Sequence, residues 1–389
     1  MEFTVFYVII HRVLTKVSCV FKASNIYEME KFLLSKSSTD DFVFSANKRG
    51  VPDRVLSADD IRRDVAIFAR LLIRVYVGWP MHDEITKMRI LKHLINVYND
   101  AHEISAGEFF KLLKPVVADI PDNHISIRFG TIRFGTKYTK PYKNVGKNIA
   151  GNSPVYGEMR DGGVAVIGFS AMIISDEFKH AVIDFAKNIL PKSNALIIDL
   201  RGNTGGNSWY SDLFAEHLCG AWVDSMQAVY VRTNRDAKEF LSVVYPTAPW
   251  AKLPESEELV VWKTGKNYTP DINKAYMKPI YILTDRQTAS SAEMFLLRML
   301  HHPCTVVVGD NSSGTEVFGN VGSALLPSSQ IKFNIGMNYR VLSQENFELN
   351  GVTPNIKCPE NTDALTVTLR EIANQQILSQ AIKQNSNAL

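Results

Sequence analysis

The sequence has few cysteines, and no two of them are close together along the chain. Its four cysteines, Cys19, Cys219, Cys304 and Cys358, are spread over 389 residues without a CxxC pair. Structural zinc sites and disulfide frameworks both need recognisable cysteine spacings, so neither organises this chain. We expect the cysteines to be small buried hydrophobic residues, and we predict neither a metal ion nor an organic cofactor.

Long apolar runs and blocks of charge are also missing. No stretch reaches the ~20 apolar residues of a transmembrane helix. The first 25 residues open with Glu2 and carry His11, Arg12 and Lys16, whereas a secretory signal has its charge before the apolar run. We interpret this segment as a strand or helix of the fold and favour the cytoplasm, with an exported or periplasmic location as the alternative. Lys and Arg (43) and Asp and Glu (40) are scattered and leave a net charge of +3, so no nucleic-acid partner is predicted.

The chain does have ample apolar material, at 46% hydrophobic residues, and its pattern changes along its length. Between about 57 and 115, apolar residues such as Ile61, Val65 and Phe68 recur at helical spacing and predict a small helical subdomain. Residues 125–154 are rich in Gly, Lys, Asn and Tyr and show no period, which predicts a linker or hairpin.

After residue 155, apolar strands alternate with helical patterns. The runs VAVIGF, ALIIDL, PIYILT and CTVVVG have the composition of strands that are covered on both faces. This alternation predicts an α/β fold with a largely parallel sheet flanked by helices, and the tail from Asp363 to Ile382 predicts a closing helix. We expect an N-terminal region with the helical subdomain at 1–130, a linker at 131–155 and an α/β domain at 156–389.

Two of these strands end in residues that can act on a ligand. In a parallel sheet such residues collect beyond the carboxyl ends of the strands. ALIIDL runs into RGNTGGN, residues 201–207, where glycines let the backbone approach a ligand and helix-start amides can bind an anion. Taken alone, a plain glycine-rich turn explains this run better. Its spacing matches neither a dinucleotide nor a P-loop motif.

The second strand end is TASSAE, residues 288–293, which follows PIYILT. Ser290 would lie in the first turn of a helix, where the helix dipole stabilises a developing alkoxide and the amide of Ser291 can donate to an oxyanion. In isolation, a helix N-cap explains these serines better. Together, however, the two strand ends can supply two backbone donors to one carbonyl oxygen.

These motifs resemble those of a known family. ALIIDLRGNTGGN resembles the DLRxNxGG signature of the tail-specific (C-terminal processing) serine peptidases, and TASSAE with VVVGDNSSGT resembles their nucleophile segment. The family also includes the core of the tricorn protease and the interphotoreceptor retinoid-binding protein, and the similarity spans roughly Ile120 to Glu360. It implies a ClpP/crotonase-like catalytic core at 156–389 and a nucleophile three residues before a glutamate, which selects Ser290.

The resemblance also implies the general base that a serine hydroxyl needs. One branch of the family uses a lysine after a glycine in the segment that follows VVVG, but here Thr315 follows Gly314. The tricorn-like branch uses a histidine and a glutamate instead. IPDNH resembles its DGH element and FELNGVTP its EGxGVxP element, which implies His124 as the base and Glu348 as its orienting partner. Asn123 stands where tricorn-type sites have a serine and can support the same network.

Many members carry a PDZ domain after the histidine. The interval 125–154 is shorter than the roughly 50 residues of the smallest domains, so no PDZ domain is expected here. The insertion at 234–277 contains Tyr245, Trp250 and Trp262 and is a candidate wall for a peptide cleft, although packing within a surface loop explains these aromatics better.

The resemblance therefore implies a serine peptidase that acts on a peptide or protein substrate and can form oligomers. Ser290 attacks the carbonyl carbon, His124 transfers the proton and Glu348 orients the imidazole. The oxyanion is received by backbone amides, those of Ser291 and of Gly205 or Gly206. Two alternatives stay open: a non-catalytic ligand- or peptide-binding member of the same fold, and a crotonase-like acyl-CoA enzyme whose thioester activity would survive Ser290→Ala.

Overall fold

The computed structural model describes residues 25–44, 51–137 and 140–386. The strand or helix predicted within the first 24 residues lies outside this range, as does Cys19. Residues 25–34 form a helix. The other longer helices are α1 (Ala58–Arg70), α2 (Glu84–Asn99), α3 (Ala106–Ala118), α4 (Asp176–Asp184), α5 (Trp209–Cys219), α6 (Arg235–Val244), α7 (Ser291–Met299) and α8 (Ala364–Ser386). The strands are β1 (Val55–Leu56), β2 (Ile104–Ser105), β3 (Ser126–Phe129), β4 (Ile132–Gly135), β5 (Val155–Arg160), β6 (Val164–Phe169), β7 (Ala195–Asp199), β8 (Ala228–Arg232), β9 (Leu259–Thr264), β10 (Ile280–Thr284), β11 (Thr305–Gly309), β12 (Phe318–Leu325), β13 (Lys332–Val341) and β14 (Ile356–Lys357).

The chain divides into two compact units by its contacts. The first contains the described residues within 1–138 together with 230–262 and 318–339, and the second contains those within 139–229, 263–317 and 340–389. This grouping differs from the division predicted along the chain. Strands β3 and β4 pair with each other, and β3 pairs antiparallel with β13, which is far away in sequence. Local periodicity carries no signal for such a pairing.

The first unit contains the predicted helical subdomain. Helices α1, α2 and α3 lie in it, as their spacing predicts, and α1 begins with a capping box between Ser57 and Asp60. A second sheet in the order β4-β3-β13-β8-β9, with β12 paired to β13, completes the unit. Phe68 of α1 packs against Phe333 of β13, with ring centroids 4.2 Å apart. Residues 125–154 therefore begin as a hairpin, made of β3 and β4, before any linker.

The second unit contains the predicted parallel sheet. Its strand order is β14-β11-β10-β7-β6-β5, in which only β5 pairs antiparallel to its neighbour among the described strands. The α/β fold with a largely parallel sheet flanked by helices is thereby confirmed. The closing helix is α8, which begins at Ala364.

Both faces of this sheet are covered by helices. One face holds an apolar cluster that includes Ile167, Ile198 and Ile282 from the strands and Phe178, Phe214 and Phe295 from helices α4, α5 and α7. The other face holds a cluster that includes Val166, Ile197 and Leu283 from the strands and Leu365 and Ile372 from α8. Each fully buried side chain of this size contributes about 1.5–3 kcal/mol of hydrophobic stabilisation. Burial on both faces explains why these strands are continuously apolar.

The cysteines and the aromatic residues of the 234–277 insertion are predicted to serve packing. Cys219 and Cys358 are buried and Cys304 is half-buried, and all three are free thiols. Trp250 is buried and its ring lies 4.6 Å from that of Trp262 in the core of the first unit, as expected if these aromatics serve packing. None of the described helices combines the length and the apolar character needed to cross a membrane.

Candidate active site

Ser290 lies between strand β10 and helix α7 in a backbone conformation that serine rarely adopts. Its φ is 54° and its ψ is −123°, whereas a helix N-cap normally has extended backbone angles. A positive φ at a non-glycine residue costs about 1–3 kcal/mol and persists only where the surroundings enforce it. Serine nucleophiles of other hydrolases are exposed on similarly strained strand-to-helix turns. The plain N-cap explanation therefore does not account for this conformation.

Glu293 enforces the conformation from inside the protein. Its side chain is fully buried and accepts four hydrogen bonds. Oε2 accepts from the N–H of Ser290 at 3.1 Å and from that of Thr315 at 2.7 Å. Oε1 accepts from the Ser312 hydroxyl at 2.6 Å and from the N–H of Gly314 at 2.7 Å. One carboxylate thus binds the candidate nucleophile to the loop that follows β11.

Ser312 extends this network to a third segment. Its hydroxyl donates to Glu293 and accepts from the N–H of Val352 at 2.8 Å. Because a hydroxyl has a single proton, the acceptance from Val352 leaves that proton for Glu293. Ser312 therefore binds Glu293 to the segment that follows Glu348.

The glycine loop after β7 is held against the turn of Ser290 by Asn203. The side chain of Asn203 donates to the carbonyl of Phe169 at 2.9 Å and accepts from the N–H of Gly205 at 2.9 Å. Its own carbonyl accepts from the N–H of Ala289, also at 2.9 Å. Asn203 therefore joins the ends of β6, β7 and β10, which meet at one edge because these strands are parallel.

Glycine is required at position 205 by this close approach. The φ of Gly205 is 93°, and a Cβ atom there would lie 2.8 Å from the carbonyl oxygen of Ala289 and 2.9 Å from the Cβ of Ser290. Both are closer than real Cβ atoms come to their neighbours. A side chain at this position would push the loop away from the serine.

Three backbone amides at this junction differ in whether they are already hydrogen-bonded. The N–H of Gly205 is engaged with Asn203. Neither Gly206 N–H nor Ser291 N–H has a hydrogen-bond acceptor among the residues that the structure describes. Ser291 joins the two segments, since its hydroxyl donates to the carbonyl of Gly206 at 2.6 Å. Paired free amides beside a serine are the components of an oxyanion hole.

Glu348 lies in the turn between β13 and β14 and is half-buried. Its Oε2 accepts from the N–H of Val317 at 3.0 Å. The next residue, Leu349, has a φ of 69° and donates its N–H to the carbonyl of Gly314 at 2.8 Å. The turn of Glu348 therefore rests on the loop that Glu293 holds.

His124 and Asn123 lie in the first unit, just before β3. The N–H of His124 donates to Oδ1 of Asp122 at 2.6 Å, and the carbonyl of Asn123 accepts from Arg133 at 3.3 Å. Asp122 is fully buried, which raises its pKa to about 6 against the lowering effect of the His124 N–H and the Tyr76 hydroxyl. The place of these residues relative to Ser290 stays a prediction.

Burial also raises the pKa of two glutamates in the second unit. It raises the pKa of Glu293 to about 7 against the effect of its four donors. It raises the pKa of Glu316 to about 8 against the effect of Arg340, which donates a hydrogen bond to Oε1 of Glu316. Both carboxyls therefore retain protons well above the pH at which an exposed glutamate loses its own.

This retention predicts a stability that falls as pH rises from 7 to 9. In that range the folded Glu316 releases a proton, whereas glutamate in the unfolded chain, with a pKa of about 4.5, has already lost it. Where the native state binds more protons, the free energy of unfolding decreases with rising pH. We expect Glu316→Gln to remove most of this slope. Denaturant unfolding at several pH values in this range measures it, and equal slopes in both proteins would contradict the assignment.

The comparison with known families decides what kind of protein this is. The model of peptidase family S41 matches residues 163–358, just over half of the chain. This range contains the glycine loop, the turn of Ser290 and the turn of Glu348. The chain belongs to peptidase family S41. The predicted resemblance is confirmed at this level, while the tricorn-like branch and the lack of a PDZ domain stay predictions.

Several solved structures are similar to this chain. A candidate peptidase from Parabacteroides merdae ATCC 43184 matches with a TM-score of 0.52 and 14% identity, over 78% of this chain and 90% of its own. Mature CPAF in complex with lactacystin matches with a TM-score of 0.49 and 13% identity, over 78% and 94%. A lipoprotein from Streptococcus agalactiae matches with a TM-score of 0.42 and 16% identity, over 84% and 99%. At these identities the first match shows a shared fold only, and the other two add no further conclusion.

Several residues that hold this site together have no recognisable signal in the sequence, or only a weak one. Glu293 served only to identify Ser290, and Asn203 and Ser312 received no role. A signal was present for Glu293, because Ser290 and Glu293 have the spacing of a capping box. The bonds from Glu293 to residues 312–315 and from Asn203 to Phe169 join distant segments, so no local pattern predicts them.

Proposed function

We propose that this chain is a serine peptidase in which Ser290 is the nucleophile. The observation that carries the proposal is the strained turn of Ser290 beside the free amides of Gly206 and Ser291. A serine with no catalytic task does not need a positive φ that a buried carboxylate has to enforce. Family membership supports the reaction class, and the substrate would be a peptide or protein.

In the proposed reaction, the Ser290 hydroxyl attacks the carbonyl carbon of the scissile peptide bond, and its proton passes to His124. The carbonyl oxygen becomes an oxyanion that accepts from the two amides. The carbon–nitrogen bond then breaks, and the protonated imidazole gives its proton to the leaving amine. Water attacks the acyl-enzyme by the same route and regenerates Ser290. Glu348 would keep the imidazole oriented, as the aspartate of a serine protease triad does.

Of the two candidate glycines, we assign Gly206 as the second oxyanion donor. The N–H of Gly205 is occupied by Asn203 at 2.9 Å, so using it would break a buried hydrogen bond. Gly205 instead supplies the close approach that only a glycine allows. An oxyanion donor of this kind contributes about 3 kcal/mol to transition-state stabilisation. Asn123, beside His124, would support the proton-transfer network.

Labelling with a fluorophosphonate probe tests this proposal. The probe reacts with activated serines and mimics the tetrahedral intermediate, so we expect one phosphonylated residue in the native protein. Peptide mapping by mass spectrometry should place the adduct on Ser290, and heat-denatured protein serves as the control. An adduct on another serine would refute the assignment. No adduct at all, in protein that unfolds cooperatively, would favour the non-catalytic binding member.

A further inference from the structure

The Ser291 side chain lies at the junction between the two proposed oxyanion donors. Its residue is buried, with 8% of its surface exposed, and its hydroxyl donates to the Gly206 carbonyl at 2.6 Å. Ser291 thus carries one free amide on its backbone and contacts, through its side chain, the residue that carries the other. The proposed mechanism uses only the amide and leaves the hydroxyl without a role.

The glycine loop is anchored on its opposite side by Met172. The N–H of Met172 donates to the Gly205 carbonyl at 3.0 Å, and the Met172 carbonyl accepts from Asn207 at 2.8 Å. In a trans peptide the C=O and N–H groups point in opposite directions. The bond from Met172 to the Gly205 carbonyl therefore aims the N–H of Gly206 away from Met172. Met172 sets the direction of this donor, but it cannot set its distance from the turn of Ser290.

Ser291 contacts the glycine loop from the side of that turn. Gly206 has a φ of 133°, and glycine reorients with little steric resistance. Among the described residues, the Ser291 hydroxyl is the donor found for the Gly206 carbonyl. Without it, the peptide between Gly206 and Asn207 loses its restraint on the side of the nucleophile.

We propose that the Ser291 hydroxyl is a positioning group that fixes the separation of the two oxyanion donors, Gly206 N–H and Ser291 N–H. This inference rests on the proposed function and adds to it a role for a side chain. Ser291 would touch neither the substrate nor the transferred proton. It would act through Gly206, by keeping the oxyanion hole formed before the substrate arrives.

Ser291→Ala and Ser291→Cys test the inference. Alanine removes the hydroxyl donor and is well tolerated at the start of a helix. Cysteine keeps a side chain of similar shape but has a weaker donor. We expect Ser291→Ala to lower kcat about tenfold, less than the 10²–10³-fold caused by loss of a whole donor, with KM unchanged. Affinity for a peptide trifluoromethyl ketone should fall in parallel, because this inhibitor forms an oxyanion on the serine. Ser291→Cys should show the same changes to a smaller extent.

The matched control is Ser211→Ala. Ser211 is also buried, in α5, and its hydroxyl donates to the Ser208 carbonyl at 2.8 Å, so the control removes an equivalent bond outside the proposed site. It should leave kcat, KM and inhibitor affinity unchanged. Wild-type kcat in either folded Ser291 variant, or a rise in KM alone, would overturn the inference. If the proposed function itself is wrong, the wild-type protein will neither hydrolyse peptides nor react with the fluorophosphonate probe at Ser290. This result is distinct from any effect of the Ser291 variants.

Discussion

Ser290→Ala is expected to abolish peptide hydrolysis while the protein stays folded. Removal of the hydroxyl removes the attacking atom, and loss of the serine from a comparable triad lowers kcat by a factor on the order of 10⁶. Alanine has the same Cβ as serine, so the strained φ of 54° is neither relieved nor worsened. We therefore expect the unfolding temperature to change by only a few degrees for a stability change of about 1 kcal/mol.

The measurement needs a substrate, which an unbiased peptide-library digest by the wild-type protein would supply. Turnover of a fluorogenic version of a cleaved peptide is then compared among wild type, Ser290→Ala and the control Ser211→Ala. Undiminished hydrolysis by purified Ser290→Ala would reject the nucleophile assignment. Thioester hydrolysis that survives in Ser290→Ala would instead support the acyl-CoA alternative.

The second large effect is expected from Glu293→Gln, although this change removes only a charge and not the shape of the side chain. Each carboxylate oxygen of Glu293 accepts two hydrogen bonds. If the amide NH₂ takes the place of Oε1, it faces the N–H of Gly314. If it takes the place of Oε2, it faces the N–H groups of Ser290 and Thr315. In either orientation at least one buried backbone donor loses its acceptor.

An unsatisfied buried donor costs about 1–3 kcal/mol of stability. The effect on kcat should be larger than the effect on the free energy of unfolding would suggest, because a displacement of the nucleophile by about 1 Å can lower the rate 10²-fold. We expect Glu293→Gln to lower kcat by about 10²-fold, with slower fluorophosphonate labelling of Ser290 and a lower free energy of unfolding. Stopped-time labelling and denaturant titration measure the two effects.

Glu345→Gln is the matched control for this prediction, since Glu345 is exposed in the turn that precedes Glu348. The control makes the same chemical change in the same unit but leaves no buried hydrogen-bond donor without an acceptor. It should behave as the wild type in both measurements. If Glu293→Gln labels and turns over as fast as the control, then Glu293 does not hold Ser290 in its reactive conformation.

The fold of the second unit follows closely from the sequence. The runs that became β6, β7, β10 and β11 are continuously apolar because helices cover both faces of the sheet, and that composition is visible without coordinates. The positions of Ser290 and of the glycine loop also follow, because residues after parallel strands must lie at one edge of the sheet. The first unit was harder to predict because β3 pairs with β13. The local periodicity of apolar residues does not indicate a pairing partner so far along the chain.

The sequence by itself determined the α/β class, the strand ends that carry Ser290 and the glycine loop, and, through its motifs, the peptidase family. Only the tertiary structure decided that the Gly205 amide donates to Asn203 while the Gly206 amide has no acceptor among the described residues, and that Glu293 and Ser291 each hydrogen-bond to a different distant segment. The physical reason is the range of the interactions. Burial and periodicity act on neighbouring residues and leave a local pattern, whereas a hydrogen bond between segments depends on angles and distances that exist only after the chain has folded.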